Sequence, residues 1–325
     1  MTIPYRPVIL SDSQYAILDD MRNYKDFSDD TGMDMDHMRQ ALKALAKLHA
    51  MSYAYFSLGQ SDVKAFSETL KMIVDRHYQP AASADDKAAK RAELAANFDA
   101  TLDVLRALNA EGARVADAAE RRFKRQLFDL YKEANSTTSS FSVLCHGNPV
   151  PANIKFLYNA EGTPVDVKFV SFTRAIYAHA VVDLQILLAT AMGPKVEEQI
   201  EFLLRFVYHE TLAATMASLG VDRSNVPDYD ALRKEYKKKS VFGCLAGAMY
   251  LAAGPTAGAA GNKAGSGNRD PRGGNRVFES KIMGRFGSGK MGKVAVAVHE
   301  AANPKLRALT LVQRALELEA DVKQF

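Results

Sequence analysis

The chain has 325 residues, of which 47% are hydrophobic and 25% are charged, so it can bury a substantial core and is not globally disordered. Its formal net charge of +4 is too small to indicate nucleic-acid binding by itself. A run of about 18 apolar residues, the length that crosses a bilayer, occurs nowhere in the sequence, which predicts no membrane span.

The N-terminal part combines a predicted strand pair with a predicted helix. Residues 8–19 predict two short strands joined by a polar turn. From Asp34 the pattern becomes helical, because Asp34 and Asp36 suit an N-terminal cap and apolar residues follow at helical spacing. We interpret His49, on the same apolar face, as a core histidine with satisfied hydrogen bonds. The apolar face comprises Met38, Ala41, Leu42, Leu45 and Leu48.

The middle and C-terminal parts are predicted to be helical around a short run of strands. Helices are expected in segments rich in Ala, Leu, Lys and Glu, namely 62–78, 84–110 and 113–134. After a polar stretch, strands are expected over 142–146, 154–158 and 165–170, with a turn at Asn159–Gly162 between the last two. Helices then resume over 180–192, 195–219, 228–251 and 304–322.

Residues 254–292 differ in composition from the rest of the chain. They hold 11 of its 20 glycines and an excess of Lys and Arg over two acidic residues. Because glycine raises the entropy cost of ordering, this segment is predicted to be an arm that binds an acidic surface rather than folding alone. The alternative is a solvated loop without a partner. The candidate partner-binding residues are Arg269, Arg272, Arg276, Lys281, Arg285 and Lys290.

Two short segments carry the most specific pattern in the chain. Small-molecule kinases combine His-x-Asp, an Asn five residues after that Asp, and a separate Asp-Phe-Gly-like turn. His146 and Asn153 fit this spacing. Asn148 stands where the catalytic base is expected, and Ser171 stands where the metal-binding Asp of the turn is expected. Both acidic positions of the pattern are therefore neutral.

Further motifs occur in order around these two segments. They are Tyr15–Met21, Ala46–Ala50 (sequence AKLHA), Cys145–Phe156 and Pro164–Thr173. In these motifs the chain resembles the ecdysteroid kinase-like (CHK kinase-like) family, relatives of choline kinases and aminoglycoside phosphotransferases. The resemblance covers most of residues 5–251.

The resemblance implies an α+β, mostly helical fold, which is the large C-terminal lobe of a protein kinase with a small central β-hairpin. Only 18 residues precede Asp19, too few for a glycine-rich loop, its lysine strand and its glutamate helix, so most of the small lobe is expected to be absent. Four parts are expected: a remnant of the small lobe and hinge, a kinase-like helical lobe, the glycine-rich basic segment and a C-terminal helix. Their bounds are 1–33, 34–253, 254–292 and 293–325.

The resemblance also implies roles for the residues of the two segments. In an active relative the loop Asp orients or accepts the proton of the substrate hydroxyl, and an amide at Asn148 cannot act as that base. The second Asp holds Mg²⁺, whereas Ser171 offers one neutral oxygen. Asp183, which follows two valines, is expected to steady the catalytic loop, and His146 to brace its backbone. No functional catalytic, metal or cofactor site is therefore expected.

These departures predict a pseudokinase that acts as a binding or structural component of a larger protein assembly. Two alternatives stay open. One is an ATP-dependent phosphotransferase that uses Mg²⁺ and acts on a steroid or amino-alcohol hydroxyl, and the other is a non-catalytic small-ligand binder. The two cysteines, Cys145 and Cys244, lie in different contexts, which favours a reducing, cytoplasmic setting over a disulfide framework.

Overall fold

The computed structural model describes residues 21–28, 31–57, 84–135, 141–254 and 303–322. Within these ranges the chain is mostly helical with two small antiparallel sheets, which confirms the predicted α+β class. The helices are α1 (Met35–Ser57), α2 (Ala84–Arg106), α3 (Ala110–Phe123), α4 (Leu127–Ala134), α5 (Val181–Ala191), α6 (Pro194–Glu197), α7 (Ile200–Phe202), α8 (Glu210–Ser218), α9 (Tyr229–Lys238), α10 (Ser240–Ala253) and α11 (Pro304–Val322).

Helix α1 begins where the sequence predicts it. The Asp34 carboxylate accepts the backbone N–H groups of Asp36 and His37 at 3.0 Å, which satisfies donors that lack partners in the first turn. The predicted apolar face is buried, apart from Leu48, which is partly buried and packs against the same core. Ordinary capping and periodicity therefore account for this helix.

The strands form two separate antiparallel sheets. In the larger sheet the predicted hairpin of β3 (Ile154–Tyr158) and β4 (Pro164–Phe169) is extended by β1 (Lys25–Asp26), which pairs with β3. In the smaller sheet β2 (Ser142–Cys145) pairs with β5 (Ile176–His179). The sequence analysis did not predict β1 or β5. The sheets thus bring the segments after β2 and after β4 to the same side of the molecule.

Two apolar clusters form the core. The first joins α1, both sheets, α5 and the helical stretch around α8, and the second joins α2, α3, α10 and α11. Arg307 connects the two, because its partly buried guanidinium on α11 donates to the Met192 carbonyl at the end of α5 at 2.8 Å. The C-terminal helix is therefore packed into the second cluster. None of the described helices is long and apolar enough to cross a membrane.

Three of the predicted helices contain breaks that their composition did not reveal. The first ends at Arg106 because Asn109 caps the next helix, its side-chain oxygen accepting the Gly112 N–H at 2.8 Å. The second is interrupted at 124–126 by a tight turn in which the Gln126 N–H donates to the Phe123 carbonyl at 3.0 Å. The third, predicted over 228–251, is divided between α9 and α10.

Helices α7 and α8 are joined by a π-helical stretch, Leu203–His209, within the span predicted as one helix over 195–219. A π-helix bonds i to i+5, so it accommodates more residues per turn than an α-helix. This stretch buries Leu203, Leu204, Val207 and Tyr208.

Several sequence predictions lie outside the described residues. They are the strand pair over 8–19, the Tyr15–Met21 motif apart from Met21, the helix over 62–78 and the glycine-rich segment apart from Gly254. The six proposed partner-binding residues of that segment lie there too.

Candidate functional site

The loop after β2 is held by a buried histidine. His146 Nε2 lies 2.9 Å from the Val170 carbonyl, to which it donates, and His146 Nδ1 accepts the Asn148 N–H at 3.2 Å. One ring nitrogen therefore donates while the other accepts, which describes a neutral imidazole. Burial lowers the pKa of His146 from its ordinary value and reinforces that state. The ring is thus a brace between the loop and the end of the hairpin.

Asn153 brings the two predicted neutral positions into one network. Its side-chain nitrogen donates to the Asn148 carbonyl at 2.9 Å. Its own carbonyl accepts the Val170 N–H at 2.9 Å, directly before Ser171. The structure therefore gathers Asn148, Asn153 and Ser171 at one place, although 23 positions separate the first from the last.

Ser171 has an unusual backbone conformation. Its φ is 65°, and no other non-glycine residue in the described ranges has a positive φ. The residue is exposed. Left-handed geometry costs a side-chain-bearing residue roughly 1–2 kcal/mol. The short 3₁₀-helix Phe172–Arg174 follows directly. The centroid of the Phe172 ring lies 4.4 Å from that of the His146 ring.

Gly147 fits closely against this turn. Its φ is +76°, and a Cβ atom there would lie 1.8 Å from the Arg174 carbonyl oxygen. A side chain at position 147 would force the two segments apart. The loop after β2 and the turn after β4 are therefore interlocked through both backbone and rings.

Asp183 holds the loop after β2 through its backbone N–H groups. This fully buried carboxylate, near the start of α5, accepts the N–H groups of His146 at 2.6 Å and Gly147 at 2.8 Å. It also lies 3.1 Å from Nε2 of His49, whose Nδ1 is 2.7 Å from the Tyr208 hydroxyl. Because a carboxylate only accepts hydrogen bonds, Nε2 of His49 is the donor to it. Asp183 thus holds the loop. It is bonded in turn by His49 of α1, which contacts Tyr208 of the π-helical stretch.

The sequence predicts that Asp183 steadies the loop and that His49 is a core histidine with satisfied hydrogen bonds. The bond between the two side chains and the contact with Tyr208 have no signal in the sequence. The relevant pair, His49 and Tyr208, is 159 residues apart. No local pattern signals a contact at such a separation.

Cys145 lies beside this network. The atoms of His49, Cys145 and Asp183 that could bind a metal ion all lie within 4.8 Å of one another, and all three residues are buried. Burial, followed by the Asp183 charge, raises the pKa of the Cys145 thiol well above its usual range. His49 and Asp183 bond each other, Asp183 also bonds the loop backbone, and the Cys145 thiol donates to the carbonyls of Ala178 and His179 at 3.6 Å.

Another histidine, His37, lies in the first turn of α1. His37 bridges the capping carboxylate of Asp34 and the Tyr158 hydroxyl, with distances of 2.8 Å and 3.0 Å. Burial and the Asp34 charge raise the pKa of Tyr158. This bridge fastens α1 to the hairpin, and the sequence analysis missed it because a single His near a helix start carries no specific pattern.

The comparisons with known proteins agree with the motif spacing. The family model described as ecdysteroid kinase-like matches residues 6–221, which is more than half of the chain. No curated protein and no solved structure matches the chain significantly. The match contains the loop after β2, the hairpin, the turn at Ser171 and the anchoring Asp183. The chain therefore belongs to the ecdysteroid kinase-like family and has a kinase-like fold with a small sheet portion.

Proposed function

We propose that this chain is a non-catalytic member of its family, a pseudokinase that serves as a binding or structural component of a larger protein assembly. The observation that carries the proposal is the state of Asp183. Both of its oxygens are engaged, one by the Gly147 N–H and the other by the His146 N–H and His49. This carboxylate cannot take over the work of the acids that Asn148 and Ser171 replace.

The loop also offers no substitute for the missing base. The amide side chain of Asn148 does not accept a proton at neutral pH. His146 is the nearest titratable group in the loop, but both of its ring nitrogens are used by backbone groups. Freeing either nitrogen would break the brace that holds the loop.

The donor set does not fit the magnesium ion that the family implies alongside ATP. Mg²⁺ in kinase-like phosphotransferase sites is held by the Asp of the turn and the Asn of the catalytic loop, together with the phosphates of the nucleotide. The corresponding positions here supply the Asn153 amide and the Ser171 hydroxyl. The bond to the Asn148 carbonyl uses the side-chain nitrogen of Asn153 and not its metal-binding oxygen, so the misfit lies at Ser171, where one neutral oxygen replaces the carboxylate. We therefore propose no nucleotide or metal cofactor.

The binding role is supported by what the fold retains. The loop after β2 is still held by the buried Asp183, although Asn148 and Ser171 replace the acids that the loop and turn would position. A loop held in a fixed shape without those acids suits a binding role. We further propose a cytoplasmic location, because Cys145 and Cys244 are both free and buried. The basic residues of 254–292 remain proposed contacts with an acidic partner surface.

A phosphotransfer assay tests the lack of catalysis. The purified full chain is incubated with ATP, Mg²⁺ and a panel of steroid alcohols and amino alcohols, beside an Asn148→Ala variant of equal melting temperature. We expect both proteins to show the same background. ATP consumption that the wild type shows and the variant loses would establish the phosphotransferase alternative instead.

Two further measurements separate the remaining roles. Stabilisation of the chain by a steroid or amino alcohol without turnover would favour the small-ligand binder. We expect instead that the endogenous protein elutes well above the 35.6 kDa of the single chain when native extracts are sized under mild conditions. Elution at the monomer mass would contradict the assembly role.

A further inference from the structure

A small cavity lies between the start of α1 and the turn end of the hairpin formed by β3 and β4. Its volume is about 200 Å³. Strand β3 begins next to Asn153 and ends at Tyr158, so the cavity is separate from the loop after β2. The cavity is lined by Phe27, Ser28, Gly32, Asp34, His37 and Tyr158.

Aromatic rings form half of this lining. The centroid of the His37 ring lies 5.2 Å from that of Phe27 and 5.6 Å from that of Tyr158. The completely buried Phe156 ring supports them, with its centroid 4.9 Å from that of His37. Aromatic rings attract an organic cation that lies within about 6 Å of the ring centroid. Such a wall favours a cation that carries alkyl groups, because those groups also bury apolar area against the rings.

Asp34 adds a carboxylate with one free oxygen. The bonds from Asp36 and His37 all end on its Oδ1, and within the described ranges its Oδ2 accepts no hydrogen bond. A neutral His37 satisfies both of its ring bonds, because Nδ1 donates to Asp34 and Nε2 accepts the Tyr158 hydroxyl. Burial opposes ionisation, but the bonds from His37 outweigh it and lower the pKa of Asp34. The cavity thus places a charged carboxylate beside the rings.

The charges along this part of the chain also favour a cation. Residues 26–38 contain five Asp and no Lys or Arg. Two of these carboxylates are already paired, Asp26 with Lys155 and Asp36 with Arg39. Each of those two cations is therefore engaged as well, and the capping carboxylate of α1 is left for a ligand.

The cavity wall is held in place before any ligand binds. Gly32 has a φ of +90° and packs against Gly193, where a Cβ atom on Gly32 would lie 2.8 Å from the Gly193 nitrogen. The Met33 N–H donates to the Ala191 carbonyl at 2.6 Å, and the Met33 carbonyl accepts the Gly193 N–H at 3.0 Å. A site that is ordered in advance loses less entropy when its ligand binds.

We propose that this cavity binds the alkylated ammonium group of an organic cation, held between the Asp34 carboxylate and the rings of Phe27 and Tyr158. Two sources carry such a group, a free quaternary amine and the methylated lysine side chain of another protein. The inference does not rest on the proposed assembly role. It also differs from the phosphotransferase alternative, which would place its substrate at the loop after β2.

Ligand-observed NMR on the full chain tests the requirement for charge. The two probes are tetramethylammonium and tert-butyl alcohol, a neutral molecule of similar shape. We expect tetramethylammonium to bind at least about tenfold more tightly than the alcohol. Equal binding of the two probes, or no binding of tetramethylammonium, would overturn the proposal. Displacement of tetramethylammonium by an equal concentration of sodium would overturn it too, because it would show an ordinary surface carboxylate.

Matched variants locate the bound cation. Asp34→Asn keeps an oxygen that can cap α1 but removes the charge, and it should weaken tetramethylammonium binding at least about fivefold. Phe27→Leu keeps apolar bulk without the ring and should weaken binding by a similar factor. The controls are Asp230→Asn, an exposed carboxylate at the start of α9, and Phe202→Leu, an exposed ring on another helix. If Asp34→Asn binds tetramethylammonium as the wild type does, the site is wrong, whatever Phe27→Leu does to folding.

Two peptides identify the source of the cation. One carries trimethyllysine, and the other carries unmodified lysine at the same position. Tighter binding of the trimethyllysine peptide than of tetramethylammonium shows a ligand on another protein, whereas the reverse order shows a free amine. Equal binding of the two peptides would overturn the requirement for alkyl groups. An empty cavity beside a large native complex would leave the assembly role standing, so the two failures are distinguishable.

Discussion

The anchoring carboxylate gives the most direct test of the site geometry. In an Asp183→Ala variant, the N–H groups of His146 and Gly147 and the Nε2 of His49 lose their acceptor at one point. All of these groups lie in or beside the buried core, so water does not readily replace the lost oxygen atoms. The variant should be strongly destabilised.

The magnitude follows from the number of bonds. A hydrogen bond to a charged group contributes roughly 1.5–3 kcal/mol, but such contributions are not additive. Removing one partner of a buried charged pair typically costs about 3–5 kcal/mol. We therefore expect the Asp183→Ala variant to lose about 4 kcal/mol of unfolding free energy. An Asp183→Asn variant keeps one acceptor oxygen and should lose about half as much.

Urea unfolding of the full chain, followed by circular dichroism, measures these differences. The control is Asp230→Ala, which removes an exposed carboxylate at the start of α9 and should cost at most about 1 kcal/mol. If the Asp183→Ala variant loses less than about 1 kcal/mol, the buried network does not hold the loop as described. A loss equal to that of the control would refute the reasoning as well.

Three further predictions concern the same region. The Gly147→Ala variant should lose at least about 2 kcal/mol on thermal unfolding, because its Cβ meets the Arg174 carbonyl in a left-handed backbone, and a near-neutral effect would contradict the interlock. The Ser171→Gly variant should gain up to about 1 kcal/mol by relieving its positive φ, and a lower melting temperature would count against that account. Burial, above all, lowers the pKa of His179 to about 4, so the unfolded chain binds the extra proton first as the pH falls. Stability should therefore decrease between about pH 6.5 and pH 4, by about 3 kcal/mol from this residue, and a His179→Gln variant with an unchanged pH profile would disprove it.

Much of the fold could be predicted from local sequence patterns. The cap at Asp34, the apolar face that follows it and the Asn159–Gly162 turn were predicted correctly because each depends on residues within one or two turns. The breaks after Arg106 and Phe123 were missed, since composition favours helix on both sides and the capping bond of Asn109 decides the boundary. Strand β5 was missed because its pairing with β2 is supplied by a distant segment.

The parts of the candidate site that lie within one loop were also predictable, and the parts that depend on distant residues were not. The spacing of His146, Asn148 and Asn153 was readable because one loop contains all three residues. The left-handed conformation of Ser171 was not readable, since serine rarely adopts it and no neighbouring residue signals it. The anchor formed by His49, Asp183 and Tyr208 depends on three separate helical elements and no sequence window contains it.

The π-helical stretch also makes chain length a property of the molecule as important as residue identity. A π-helical turn holds about one residue more than an α-helical turn, so deleting one residue between 203 and 209 would let this stretch close as an ordinary α-helix. In a regular α-helix the same deletion would rotate everything on one side by about 100° relative to the other. A single-codon deletion should consequently be tolerated more readily here than in α1 or α10. Length differences among relatives should therefore concentrate in this short stretch of helix.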